Sequence, residues 1–248
     1  MMVAITFDVE HDCPPYLTTT KGMEEGLPRI LDLLEEKGVK ATFFFTAEMA
    51  KRFPHLVKRV IDEGHELGSH NYNHERLDRL SREEGTQAIE KSLRVLREFG
   101  DVTSFRAPNL QFPDYYYRVL ERNGVLIDSS RATYKGYRSG VRFFGNVLEV
   151  PTSTTSSVIR LPWGLQKIIH SRLKEPRVYF AHPWEFVPMQ GEKVRWDCKF
   201  NTGRKALELL GLLIDYYKGR AKFMRMSEFY PEYQKLKRKG SNSERWET

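Results

Sequence analysis

The feature that most restricts the fold is a regular exchange between two hydrophobic periods. Short β-type apolar runs recur at Val3–Phe7, Val39–Phe45, Val102–Arg106, Val125–Asp128, Val147–Pro151, Arg177–His182 and Phe223–Met224, with a short extended stretch at His65–His70. Between them lie longer helical patterns at Gly22–Lys37, Ala47–Glu63, Ser81–Glu98, Pro113–Asn123, Leu161–Leu173 and Asn201–Lys218. Gly38, Gly64, Gly124 and Gly219 stop four of them, and Ser81 followed by Glu84 has the spacing of a capping box. Strands alternating with helical patterns of this length specify βα units and a parallel sheet. Six to eight such units in about 230 residues suit a closed barrel better than an open sheet. Residues 131–146 read as irregular. The expectation is an α/β fold, one barrel domain over residues 1–230 followed by a loose basic tail at 231–248.

Several function classes lack their fingerprints. There is no GxGxxG and no GxxxxGK[ST], so dinucleotide and P-loop readings are unsupported. No run approaches the ~20 apolar residues of a membrane span. The formal net charge of +7 invites a nucleic-acid reading, but Lys and Arg are dispersed among 33 acidic residues. The one dense basic cluster, Lys235, Lys237, Arg238 and Lys239, falls in the expected tail, so no nucleic-acid partner is expected. Two cysteines are too few for a disulfide scaffold, and Cys13 reads as a small buried thiol. The N-terminal residues show no basic segment followed by a long apolar one, which sets a cytoplasmic expectation.

Polar residues collect where the expected strands end, the face on which a (β/α) barrel builds its active site. The first apolar run ends in Asp8, Glu10 and Asp12. A period of two projects these to one side, and converging carboxylates need a cation or a shared proton. His70 and His74 share a face if their segment is helical, within reach of one metal ion; Asn71 excludes the HExxH protease motif. Arg106, at a strand end before Pro108, is a fixed cation able to keep a nearby carboxylate ionised. His182 closes another apolar run and suits a general acid. His55 and His65 read as structural. Acids, two spaced histidines, an arginine and a separate histidine together describe metal-assisted hydrolysis of an amide or ester.

In order along the chain, Thr6-Phe7-Asp8, Gly64-His65-Glu66-Leu67-Gly68-Ser69-His70 with His74, Arg106-Ala107-Pro108, Asp128-Ser129-Ser130 and His182-Pro183-Trp184-Glu185 resemble the five motifs of the polysaccharide deacetylases, carbohydrate esterase family 4 or NodB-homology proteins. The resemblance covers residues 3–230 and is nearest to a subgroup without an adjacent Asp-Asp pair. It implies a distorted (β/α)7-type, TIM-like barrel. It also implies one divalent ion, Zn²⁺ first, with Co²⁺ or Ni²⁺ acceptable to the same donors. By analogy His70 and His74 are ligands. Most members use the second of two adjacent Asp as the third ligand, but Val9 stands there, so Glu10 is the first choice and Asp8 or Asp12 the runner-up. Asp8 would be the general base, Arg106 its orienting partner, His182 the acid and Asp128 a support for a nearby Arg or His. A backbone N–H near Asn109 would face the oxyanion.

The implied activity is removal of acetyl groups from N-acetylated sugars or a poly- or oligosaccharide, Asp8 activating the attacking water. Trp184, Tyr115–Tyr117 and the 131–142 loop are candidates for stacking on sugar rings, or else for the core. The alternative on the same scaffold is hydrolysis of small cyclic amides or imides; a non-enzymatic anion-binding module is a third reading. The substrate is thus a sugar or small amide, and a homo-oligomer is left open.

Overall fold

The computed structural model describes residues 1–135 and 140–243. Strands β1 (Met2–Val9), β2 (Thr42–Phe45), β3 (Glu66–Ser69), β4 (Ser104–Phe105), β5 (Ile127–Asp128), β6 (Arg142–Phe144), β7 (Val147–Glu149), β8 (Arg177–Ala181) and β9 (Lys222–Phe223) form one sheet. Its order is β6-β7-β5-β4-β3-β2-β1-β8, with β9 paired to the start of β1. Neighbours are parallel except the β6–β7 hairpin. The helices α1 (Leu27–Lys37), α2 (Ala47–Arg52), α3 (Pro54–Asp62), α4 (Arg82–Leu96), α5 (Tyr117–Arg122), α6 (Trp163–Arg172), α7 (Trp196–Lys199), α8 (Arg204–Tyr217) and α9 (Phe229–Ser243) lie between the strands in sequence and after the last of them. The ring closes without a full ladder. Past β7 the Ser153 N–H donates to the Val178 carbonyl at 2.8 Å, and the Val178 N–H donates to Ser153 Oγ at 2.9 Å. This is a distorted barrel of the expected (β/α)7 type.

Alternation along β1 divides the core in two. Val3, Ile5, Phe7 and Val9 join the large cluster between sheet and helices. Ala4 joins Phe44, Ile127, Leu148 and Val178 in a second cluster inside the ring, which Met224, Met226 and Phe229 extend. Thr6, Asp8 and Glu10 therefore follow Ala4 on the inner side, and Val9 is spent on the outer core. The inside is tight at Gly68, where a Cβ would meet the Phe44 ring at 2.6 Å.

Some boundaries differ from the sequence reading. The helix expected over Ala47–Glu63 is two, α2 and α3. Phe53 precedes Pro54, which bars it from the helical region, and it sits at φ −127° and ψ 56°. Pro113–Asn123 is a 3₁₀ turn at Asp114–Tyr116 running into α5. The stretch read as irregular contains β6, turned into β7 through Gly145-Asn146 with Gly145 at φ +60°; residues 136–139 of it lie outside the described residues. Helix α7 was not anticipated. The expected tail from 231 is helix α9 as far as Ser243, anchored by the buried Phe229, and residues 244–248 lie outside the described residues. His65 is structural as expected: its Nδ1 accepts from the Ala41 N–H at 3.1 Å, and burial, with Lys40 and Arg225 nearby, holds it down at about 4.

Candidate metal centre and cleft

The site forms because four strands deliver their next residue to one end of the ring. Glu10 follows β1, His70 follows β3, Arg106 follows β4 and His182 follows β8. The ladders fix these ends against one another: His70 N–H donates to Phe45 O and Arg106 N–H to Ser69 O, both at 2.8 Å. Asp8, Glu10, His70, His74 and His182 all line one cleft of about 340 Å³.

His70 and His74 do meet, but not on a helix. Residues 71–73 form a turn with Asn71 at φ 64°, and His74 itself is at φ 56°. Glu75 ties the turn by accepting from Asn71 Nδ2 at 3.1 Å and from the Asn73 N–H at 2.8 Å. The turn docks on the start of α2, whose Ala47 and Glu48 N–H groups donate to Asn71 O and Tyr72 O. The imidazoles end 5.3 Å apart, centroid to centroid.

Glu10 completes the group. Its Oε2 lies 2.6 Å from His74 Nε2 and 3.4 Å from His70 Nε2, and ligand atoms of the three residues all fall within 4.8 Å of one another. His70 Nδ1 is 2.8 Å from the Arg106 carbonyl, which places the ring proton there and leaves the Nε2 lone pair facing Glu10. Buried Glu10 Oε2 has no aligned hydrogen-bond donor. A buried carboxylate oxygen facing two imidazole nitrogens is stabilised by a cation or a proton between them. Burial opposes both charges, yet the facing groups hold the Glu10 carboxyl well below its ordinary range and lift His74 above its own. Two imidazoles and one carboxylate are a donor set for a divalent transition ion, so these residues fit the expected metal.

The runner-up ligands have other duties. Asp12 leaves the strand line and accepts from Thr19 Oγ1 at 2.7 Å and from the Lys21 and Gly22 N–H groups at 2.8 Å, holding the loop after β1. Asp8 Oδ1 accepts from Arg106 Nη1 at 2.7 Å. Arg106 is fully buried, lies 4.3 Å over the Phe44 ring, and also donates to Thr6 Oγ1, Ser129 O and Ser129 Oγ. Asp8 is thus a buried carboxylate with a fixed cation on one oxygen.

His182 stands opposite, its Nε2 3.6 Å from Glu10 Oε1 and its ring stacked on Trp184. Its Nδ1 bonds Glu185 Oε1 at 2.7 Å, and Glu185 Oε2 accepts from buried Arg160. Burial works against the His182 charge, but Glu185 and Glu10 outweigh it and lift the imidazole to about 9. Burial likewise opposes the Glu185 charge, and Arg160 and His182 bring that carboxyl down to about 2. Glu185 and Arg160 had no assigned role in the sequence. The i,i+3 spacing from His182 to Glu185 was the available signal; Arg160 gave none.

Asp128, expected as a support for a nearby Arg or His, does not line the cleft. It accepts from Ser130 Oγ at 2.5 Å and from Tyr117 OH at 3.1 Å beside buried Glu149. Its bearing on the site is indirect, through the Ser129–Ser130 segment that holds Arg106 and the Ala107 N–H. Asn109 lines the cleft at φ 59°. Of the proposed sugar-stacking rings, Trp184 lines the cleft but is buried, while Tyr116 and Tyr117 are core. Among the described residues, the exposed aromatic rings at its rim are Tyr16 and Tyr134.

A family model described as polysaccharide deacetylase matches residues 1–127, which is half of the chain. This chain belongs to the polysaccharide deacetylase family. The matched part of this family member carries Asp8, Glu10, His70, His74 and Arg106; His182 and Glu185 lie beyond it. It is 36% identical over 113 residues to a peptidoglycan-N-acetylglucosamine deacetylase of Bacillus cereus, covering 46% of this chain and 36% of the relative. It is 32% identical over 115 residues to the peptidoglycan-N-acetylmuramic acid deacetylase PdaA of Bacillus subtilis, covering 44% and 43%. The match therefore spans less than half of either relative. The fold agrees over nearly the whole chain with that of a Mycobacterium smegmatis protein assigned to the polysaccharide deacetylases: TM-score 0.71 at 21% identity, covering 95% of this chain and 91% of the other.

Proposed function

We propose that this deacetylase-family chain is a divalent-metal-dependent hydrolase that removes acetyl groups from N-acetylated sugars. The carrying observation is the convergence of Glu10, His70 and His74 in one cleft with a carboxyl group, Asp8, and a third imidazole, His182. A divalent ion, Zn²⁺ by its donor preference, would be held by these three side chains and supply Lewis-acid polarisation of the acetyl carbonyl.

The chain's own groups divide the proton transfers. Asp8 is the general base toward the attacking water, and the Arg106 guanidinium on Oδ1 fixes its rotamer. His182, lifted to about 9, is protonated near neutrality and donates to the departing nitrogen. Glu185 fixes the ring through Nδ1, leaving Nε2 toward the cleft. The C–N bond breaks, giving acetate and a free amine. Tyr16 and Tyr134 offer exposed rings for sugar stacking.

Acetate release from N-acetylglucosamine oligosaccharides, assayed beside ring opening of a cyclic imide, before and after chelation, tests this. The expected result is acetate release abolished by chelation and in His70→Ala, with Asp8→Asn and His182→Ala each about 10²–10⁴-fold slower. Chelator-resistant ring opening without acetate release would overturn it in favour of a cyclic-amide hydrolase.

A further inference from the structure

One wall of the cleft carries chemistry that the proposed hydrolysis does not use. Cys13 and Cys198 are the chain's two cysteines, and both thiols are free. They come from opposite ends of the sequence yet line the same cleft. Cys13 is buried in the loop after β1, which Asp12 pins, and Cys198 is half-buried on α7. Both pack in one small cluster with Trp184, Val187 and Met189.

Apolar packing alone would ask only for volume at these positions. The two sulfurs instead address each other. The Cys13 thiol lies within hydrogen-bond reach of Cys198; this contact lowers the Cys198 thiol against burial and Asp197, and with burial pushes Cys13 up. A half-buried thiol on the cleft wall, with a second thiol against it, is the arrangement of an attacking and a resolving cysteine.

We propose that Cys13 and Cys198 are a redox-modification site, closing into a reversible intramolecular disulfide at the wall of the cleft when a small-molecule disulfide is the oxidant. The Cys198 thiolate attacks one sulfur of the oxidant; the oxidant's S–S bond breaks, and the released thiolate takes the proton that Cys198 gave up. The Cys13 thiolate then attacks the Cys198 sulfur of the mixed disulfide and expels the second small thiol, which takes the Cys13 proton. Two protein thiols are oxidised and one small disulfide is reduced to two thiols. The new bond joins the loop that follows Glu10 to the segment that follows Glu185, so it tethers the two sides of the cleft.

The full chain is incubated with oxidised glutathione, then denatured for thiol titration, intact mass and peptide mapping. The expected result is a fall from two thiols to none per chain, a monomer lighter by two hydrogens, a mapped Cys13–Cys198 peptide, a raised unfolding temperature, and reversal by a thiol reductant. In Cys13→Ser the same treatment leaves a stable glutathione adduct on Cys198. Retention of both thiols, a disulfide between chains, a glutathione adduct persisting in the unsubstituted chain, or an unmodified Cys198 in Cys13→Ser overturns the proposal. None of these readouts depends on catalysis.

Discussion

Arg106→Met is the substitution whose cost the structure specifies best. The guanidinium is fully buried and makes four hydrogen bonds: Nε to Ser129 O at 3.1 Å, Nη1 to Thr6 Oγ1 and to Asp8 Oδ1, both at 2.7 Å, and Nη2 to Ser129 Oγ at 2.9 Å. Methionine fills much of the volume and supplies none of the donors. Asp8 is then left inside the ring without its cationic partner. Removing one member of a buried pair costs about 3–5 kcal/mol. In a domain of this size each kcal/mol lowers the unfolding temperature by ~2–4 °C, so a fall of about 6–20 °C is expected. Asp8→Asn in the same chain removes the stranded carboxyl group, and the double variant should recover ~0.5–3 kcal/mol relative to the sum of the single losses. Lysine at 106 keeps the charge but not the planar fork that serves acceptors on β1 and after β5, so it should fall between wild type and methionine. Urea and thermal unfolding of chelated protein, followed by circular dichroism, measure these terms. A loss below about 1 kcal/mol in Arg106→Met, or strictly additive losses in the double variant, would refute the reasoning.

Glu185→Gln withdraws the carboxylate that helps hold His182 at about 9, so the alkaline limb of kcat/KM should move from near 9 down toward the ordinary histidine range; an unmoved limb in a folded variant contradicts the assigned role. Burial and the charge of Asp128 hold Glu149 well above the usual carboxyl range, so the folded chain binds a proton there that the unfolded chain releases; stability falls as pH rises between those two values, and unfolding of Glu149→Gln should lack that component. Asp12→Ala strands the N–H groups of Lys21 and Gly22 and should cost about 1–3 kcal/mol in unfolding experiments while leaving metal content at wild-type level.

What could be read from the sequence was governed by periodicity. The β1 alternation that puts Val9 in the outer core and Asp8 and Glu10 inside was legible, because a period of two decides it locally. It stopped being legible at Asp12, since the chain leaves the strand there and the alternation no longer applies. The closeness of His70 and His74 was legible from their spacing, but the conformation was not: a left-handed turn tied by Glu75 and docked on α2 replaces the helix. The motif ending at Glu185 was visible, whereas its role depended on Arg160, which arrives from a distant 3₁₀ turn. Asp128 ended a strand as expected, yet its side chain goes to Ser130 and Tyr117 rather than into the cleft. The strand at Val147 was legible, but its partner β6 was hidden in a stretch rich in turn residues, and the hairpin turn at Gly145-Asn146 was not read.

The most direct test of the account is the number of divalent ions bound per chain after chelation and titration with Zn²⁺, measured by calorimetry in wild type, Glu10→Gln, Asp8→Asn and Asp12→Asn. The account predicts one ion for wild type, Asp8→Asn and Asp12→Asn, and none held tightly by Glu10→Gln. Retained binding in Glu10→Gln together with loss in Asp8→Asn would move the ligand to Asp8 and contradict both the metal centre and the assignment of the base.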